Sequence, residues 1–145
     1  MSEKLTGGCL CGAVHYVSTA SPGMVGDCYC VDCSKTSGTS HCTHAVVPGD
    51  SLTVTGEIKF YDRPADSGNM VSRGFCPVCG SAIYSTNVAM PGMVFLRASS
   101  LDDPGQITPQ MTVYASRAPH WARPGGSGPV FDTMPPGGPP PELMG

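Results

Sequence analysis

Arg73-Gly74-Phe75-Cys76-Pro77-Val78-Cys79-Gly80-Ser81 is the stretch that decides the fold. Cys76 and Cys79 have the two-residue gap of a metal knuckle. The proline sets φ just after the first sulfur, and the glycine admits the turn after the second. Both sulfurs can therefore converge on one ion. A structural zinc takes four protein ligands in a tetrahedron, so two more must come from elsewhere. Gly7-Gly8-Cys9-Leu10-Cys11-Gly12 supplies them, because residues i and i+2 of an extended strand face the same way. Cys9, Cys11, Cys76 and Cys79 are thus expected to hold a closed, structural zinc whose binding is coupled to folding.

The segments around these knuckles read as short strands. Ala13 to Val17, His41 to Val47, Met70 to Phe75, Ser81 to Ser85 and Met111 to Tyr114 are rich in β-branched and aromatic residues. Met93 to Ala98 is the most apolar run and is expected at the centre of a sheet. Leu52–Gly56 and Ile58–Asp62 read as a strand pair around a tight turn. Helix is confined to short pieces, one or two turns after Cys33 ending near Gly38 and a short helix at Arg117–Ala122 that would seat the lone Trp121 on the core. The expected class is all-β, built from short antiparallel strands with at most short helical turns.

Composition agrees. Nineteen glycines and fifteen prolines in 145 residues suit many turns rather than long helices. The length suits one domain, placed at residues 1–123. Residues 124–145 form a tail in which thirteen of twenty-two positions are Pro or Gly, too poor in apolar side chains to pack alone. Its expected anchors are Val130, Phe131 and Met134, with the chain partly docked or disordered and disorder expected from Pro135 onward. A formal charge of -3, made more negative by zinc-bound thiolates, suits phosphate backbones poorly, so no nucleic-acid partner is expected. The opening Met1-Ser2-Glu3-Lys4-Leu5 has no apolar signal core and no stretch is long enough to span a bilayer. A cytoplasmic location without membrane contact is the expectation. Eight cysteines in that compartment read as metal ligands or catalytic thiols rather than disulfides.

Cys28-Tyr29-Cys30-Val31-Asp32-Cys33 is a second constellation. Three sulfurs in six positions fall one short of a tetrahedron. The missing ligand is either another protein group, with His41, Cys42 and His44 the candidates, or an exchangeable position of the open, catalytic kind. Three thiolates on Zn²⁺ leave little Lewis acidity toward water, so an open site of this composition suits capture of a substrate thiol as thiolate. By residue type alone, Cys42 reads as a buried small hydrophobe, and His15 and His120 as surface residues. Lys35 and Arg73 are within sequence reach of a substrate carboxylate, with a solvated lysine and a strand-edge arginine as the plainer readings.

The order and spacing of these seven cysteines resemble the family of glutathione-dependent formaldehyde-activating enzymes, which includes centromere protein V. The matching stretches are Gly8 to Val14, Cys28 to Cys33 with Ser37-Gly38, and Arg73 to Ser81, with Leu101-Asp102-Asp103-Pro104 and Ser116-Arg117-Ala118-Pro119 as later landmarks. The resemblance implies a β-tent zinc fold with two zinc ions per chain. It implies a structural zinc on Cys9, Cys11, Cys76 and Cys79, and a catalytic zinc on Cys28, Cys30 and Cys33. It implies carbon–sulfur lyase or synthase chemistry on a small thiol such as glutathione and an aldehyde, namely formaldehyde. Tyr29 stands where members often carry His between the first two cysteines of the middle motif. The alternative is a non-catalytic zinc module that binds a protein or another macromolecule, in which the second zinc would be closed by protein ligands.

Overall fold

The computed structural model describes residues 4–124 and 128–137. In chain order the strands are β1 (Leu5–Gly8), β2 (His15–Ser18), β3 (Met24–Cys28), β4 (Cys42–Pro48), β5 (Leu52–Thr55), β6 (Lys59–Pro64), β7 (Met70–Phe75), β8 (Ala82–Asn87), β9 (Met93–Arg97) and β10 (Met111–Val113). Among the described residues one α-helix, α1 (Val31–Ser37), follows β3, and the remaining helical pieces are three-residue 3-10 turns. The fold is all-β, as expected. No helix among the described residues is long and apolar enough to cross a membrane.

The strands form two sheets. A small one has the order β1-β2-β5, and a large one runs β10-β3-β4-β9-β8-β7-β6. All ladders are antiparallel except β10 on β3. The apolar run Met93–Arg97 occupies the middle position of the large sheet, where it pairs with β4 on one side and β8 on the other.

Register divides the labour between the two faces of the large sheet. Val25, Ala45, Leu96 and Tyr84 fall in one row across β3, β4, β9 and β8. These side chains point toward the small sheet and join Leu5, Val14, Tyr16, Val47 and Leu101 in the main core. Since successive strand residues face opposite ways, the alternate row of Met24, Val46, Phe95, Ser85 and Arg73 points the other way. Gly26, His44 and Arg97 form the row beside it. Apolar residues on the first face build stability, and the second face is left to line a cavity.

Several local expectations are corrected. β5 and β6 are not partners. β5 turns Leu52 and Val54 onto the core and pairs with β2, whereas β6 is exposed along its length and pairs with β7. The chain crosses between sheets at Gly56–Ile58, so a tight turn there does not make a hairpin. Helix α1 starts before Cys33, with Cys30 as its N-cap accepting from the Cys33 N–H, and ends at Gly38 in the left-handed conformation. Trp121 lies in a 3-10 turn at 67% exposure, so it does not seat on the core. Tyr16 fills that role at the centre of the small sheet. The tail residues 129–133 attach through the backbone: the Thr112 N–H donates to Pro129 O, the Phe131 N–H to Thr112 O and the Tyr114 N–H to Thr133 O. Val130 and Met134 stay about half exposed. Of the stretch from Pro135 onward, residues 138–145 lie outside the described residues.

Tyr16 also ties the small sheet to the end of β9. Its hydroxyl lies 2.6 Å from Ser100 Oγ, which in turn donates to Arg97 O at 2.7 Å. Burial pushes the Tyr16 hydroxyl up to about 12, so it remains a donor. Gly7 faces Tyr16 across the ladder, and a Cβ there would run into Ser100 O and the Tyr16 hydroxyl. Tyr16→Phe is expected to cost about 1 kcal/mol, one buried hydrogen bond. Gly7→Ala is expected to cost about 1–3 kcal/mol through overpacking. Urea unfolding midpoints check both, and an unchanged midpoint for Gly7→Ala would refute this packing.

Candidate metal and thiol site

Two loops that join adjacent strands bring the first four sulfurs together. Cys9 and Cys11 come from the β1–β2 connection, and Cys76 and Cys79 from the β7–β8 connection. The Cys9 and Cys11 Sγ atoms are 3.6 Å apart, Cys11 and Cys76 Sγ are 3.8 Å apart, and all four lie within 4.8 Å of one another. Zn–S bonds of about 2.3 Å in a tetrahedron place sulfurs about 3.8 Å apart, so this set fits zinc. The knuckle geometry follows from its residues. The Cys76 N–H donates to Ser81 O, the Gly80 N–H to Cys76 O, and the Val78 N–H to Cys76 Sγ at 3.4 Å. Gly80 sits at φ 78, where a side chain would be strained. Hydrogen bonds from the Ser81 side chain and backbone hold the Cys79 thiol down to about 5, so it is thiolate at neutral pH. Leu10 N–H donates to Ser81 Oγ at 3.0 Å, adding a direct link between the two loops.

The second group sits where β3 runs into α1. Cys28 ends the strand, Cys30 caps the helix and Cys33 lies in its first turn, and their three sulfurs lie within 4.8 Å of one another. The donor set suits zinc or another soft cation. Among the described residues no fourth Cys, His, Asp or Glu joins this triple. Cys42 and His44 instead form a separate group that shares only Cys33. His44 Nε2 lies 3.0 Å from Cys42 Sγ and 3.5 Å from Cys33 Sγ.

The opposite nitrogen of His44 decides what that contact is. Nδ1 is buried without a hydrogen-bond partner. A metal on Nε2 would force the proton onto Nδ1, where a liganding histidine normally donates to a carboxylate, carbonyl or water. Keeping the proton on Nε2 makes Nδ1 a bare lone pair and lets Nε2–H donate to the sulfurs. Both arrangements leave Nδ1 unpartnered, but a buried bare lone pair is tolerated better than an orphaned N–H, so His44 fits better as a hydrogen-bond donor to sulfur than as a ligand. Hydrogen bonds from Cys28, then Cys30, Cys42 and His44, hold the Cys33 thiol far below its ordinary value. Cys28 is pushed far up by its contacts with Cys30 and Cys33 and by burial, and Cys42 by its contact with Cys33 and burial. Of these sulfurs, Cys33 is the one whose neighbours most favour the thiolate.

These sulfurs open onto a cavity of about 290 Å³ on the second face of the large sheet. Gly26, His44, Val46, Phe95 and Ser85 form its floor. Cys28, Cys30 and Cys33 stand in one wall, and Met134 and Pro135 of the tail contribute to another. Asp32 Oδ2 in α1 lies 3.6 Å from Arg63 Nε and 3.9 Å from Arg73 Nη2.

Several other residues singled out by sequence land elsewhere. His41 stacks on Tyr29 with ring centroids 4.7 Å apart and belongs to none of the sulfur groups. Lys35, His15 and His120 are exposed. Arg73 is not at a strand edge: β7 lies between β6 and β8, and its side chain is 13% exposed and turned to Asp32. Arg97 was missed by sequence reading. It is buried at 3% exposure and reaches from β9 to helix α1, donating from Nη2 to Thr36 Oγ1 at 2.8 Å. Its signal was a charge closing the most apolar strand, in phase with Phe95.

Residues 4–117 match the family model described as glutathione-dependent formaldehyde-activating enzyme. Over 103 residues the chain is 32% identical to a Halomonas elongata protein named "Putative glutathione-dependent formaldehyde-activating enzyme". That match takes in 68% of this chain and 66% of the relative, so the chain spans just under two thirds of that curated protein's length. A crystal structure of a Rhodobacter sphaeroides protein superposes with a TM-score of 0.55 at 17% identity, over 86% of this chain and 98% of that one, and shares the fold. By its sulfur pattern and by the extent of the family match, the chain belongs to the glutathione-dependent formaldehyde-activating enzyme family.

Proposed function

We propose that this protein is a zinc-dependent carbon–sulfur lyase or synthase that forms or cleaves an S-hydroxymethyl thiol adduct at the Cys28–Cys30–Cys33 site. The observation that carries the reading is the incomplete ligand set: three converging sulfurs face a cavity, and no fourth ligand among the described residues joins them. Glutathione and formaldehyde are the pair named in the family's description. Two zinc ions per chain are expected, one at each cysteine group.

Zinc at the three-cysteine site would supply one exchangeable position at which a substrate thiol is held as thiolate. In the forward reaction the thiol gives up its proton and a sulfur lone pair attacks the aldehyde carbon. The C–S bond forms, the carbonyl π pair moves to oxygen, and that oxygen takes a proton. Cleavage is the reverse. No oxidant or reductant is required.

The chain's own residues shape this chemistry in three ways. The Cys33 N–H donates to Cys30 Sγ at 3.3 Å, and His44 Nε2–H donates toward Cys33 and Cys42, spreading the negative charge of the sulfur cluster. Arg97 pins α1 to β9 through Thr36, fixing where Cys30 and Cys33 point. Val46 and Phe95 give the floor an apolar surface beside the reacting carbon, which would favour addition of sulfur over hydration.

The competing reading, a zinc module without catalysis, needs Cys42 or His44 to close the second site. Their grouping with Cys33 alone disfavours it.

Two sets of variants test this account. Cys30→Ser is expected to lower bound zinc from two ions to one and to slow catalysed adduct formation by about 100-fold or more. Cys42→Ser and His44→Ala are expected to retain both ions; loss of the second zinc in either would establish the closed site. Cys11→Ser is expected to act on folding instead, lowering the thermal midpoint and making it depend on added zinc, because its metal joins loops from both sheets. Metal analysis with thermal scans reads both, and normal activity in Cys30→Ser contradicts the catalytic assignment.

A further inference from the structure

The charge and polarity of the cavity point to the class of thiol it takes, given the thiol chemistry proposed above. Its lining is dominated by apolar side chains, among them Met24, Val46, Met90, Phe95, Met111 and Met134. They come from five strands or loops of the sheet face and from the docked tail, so the apolar character is a property of the whole chamber.

The ionic groups are few and already committed. Arg73 is the one lysine or arginine among the described lining residues. Its guanidinium lies 3.9 Å from the Asp32 carboxylate, which also faces Arg63. The second acidic lining residue, Asp66, is paired with Arg117 at 2.9 Å. Arg63 and Arg117 themselves are not part of the lining. The chamber therefore presents two carboxylates and one arginine beside the three sulfurs.

Glutathione carries two carboxylates and one ammonium, and a third negative charge when its sulfur is thiolate. Seating it here would desolvate both carboxylates with no uncommitted cation on the lining to receive them. Desolvating a charge without a partner is strongly unfavourable. An uncharged thiol with an apolar body gains from the same walls.

We propose that the thiol accepted at this site is small, uncharged and apolar, of the alkyl or arylalkyl class, rather than a charged peptide thiol. The addition step is unchanged. The thiol S–H gives up its proton, its sulfur bonds to the aldehyde carbon, and the carbonyl oxygen ends as the hydroxyl of an apolar hemithioacetal. Met134 of the tail is a specificity-determining residue on this account, since it brings an apolar side chain to the cavity wall.

The full-length protein loaded with cobalt in place of zinc offers a readout independent of turnover, because sulfur bonding to cobalt changes its visible and near-ultraviolet absorption. Phenylmethanethiol and glutathione are titrated separately. The expected result is an apparent Kd at least about tenfold lower for phenylmethanethiol, together with a Met134→Arg variant that binds glutathione about fivefold more tightly than the parent does. Glutathione binding as tightly as phenylmethanethiol, or more so, overturns the apolar-thiol assignment and leaves the thiol-binding site standing. A cobalt spectrum unmoved by either thiol overturns both.

Discussion

The convergence of Cys9, Cys11, Cys76 and Cys79 is the constraint on which the rest of the molecule depends. It joins two loops that are 65 residues apart between Cys11 and Cys76, and those loops belong to different sheets. The small sheet has only three short strands, too few to bury a core of its own. Held against the large sheet, it covers Val25, Ala45 and Leu96 and supplies Tyr16 to the centre. Once that face is sealed, alternation along the same strands leaves the opposite face free. The sulfur site that organises the fold therefore also decides which side of the sheet becomes the cavity.

The second sulfur group differs in kind because of where its backbone lies. The first four cysteines sit in two turns that meet, so four ligands face one another. Cys28, Cys30 and Cys33 come from a single strand-to-helix passage. One segment can aim three sulfurs at a point and still leave the remaining direction facing the cavity. His44 and Cys42 come near only at Cys33, and the buried bare Nδ1 of His44 favours hydrogen bonding over ligation. If a metal sits on these three sulfurs, pinning of α1 by Arg97 would matter more than at a four-ligand site, because three ligands restrain a metal less completely.

Much of this was legible in spacing. The C-P-V-C-G turn and the C-L-C pair announce one meeting point for four sulfurs because each spacing fixes sulfur direction locally, and the apolar run at Met93–Arg97 announces the central strand. The features that were not legible depend on long-range packing. The β5 and β6 segments look like a hairpin in isolation, yet Leu52 and Val54 gain more by packing on the core of the small sheet. Trp121 looks like a core residue by size, but it lies in an exposed 3-10 turn and the large buried aromatic is Tyr16. Arg73 looks like a free cation for a substrate carboxylate until register sets it beside Asp32. The approach of His44 and Cys42 to Cys33 required the β3–β4 ladder, which pairs Cys28 with Cys42. The lining of the cavity could not be read without knowing that the tail returns along β10.

The central claim is that the metal on Cys28, Cys30 and Cys33 keeps one position for a substrate thiol. X-ray absorption at the zinc edge, recorded on the two-zinc protein before and after adding a thiol without aldehyde, tests it most directly. The account predicts that the mean number of sulfur neighbours per zinc rises on adding thiol, as one of the two ions gains a foreign sulfur. A sulfur count already complete before thiol, and unchanged after it, would contradict the account.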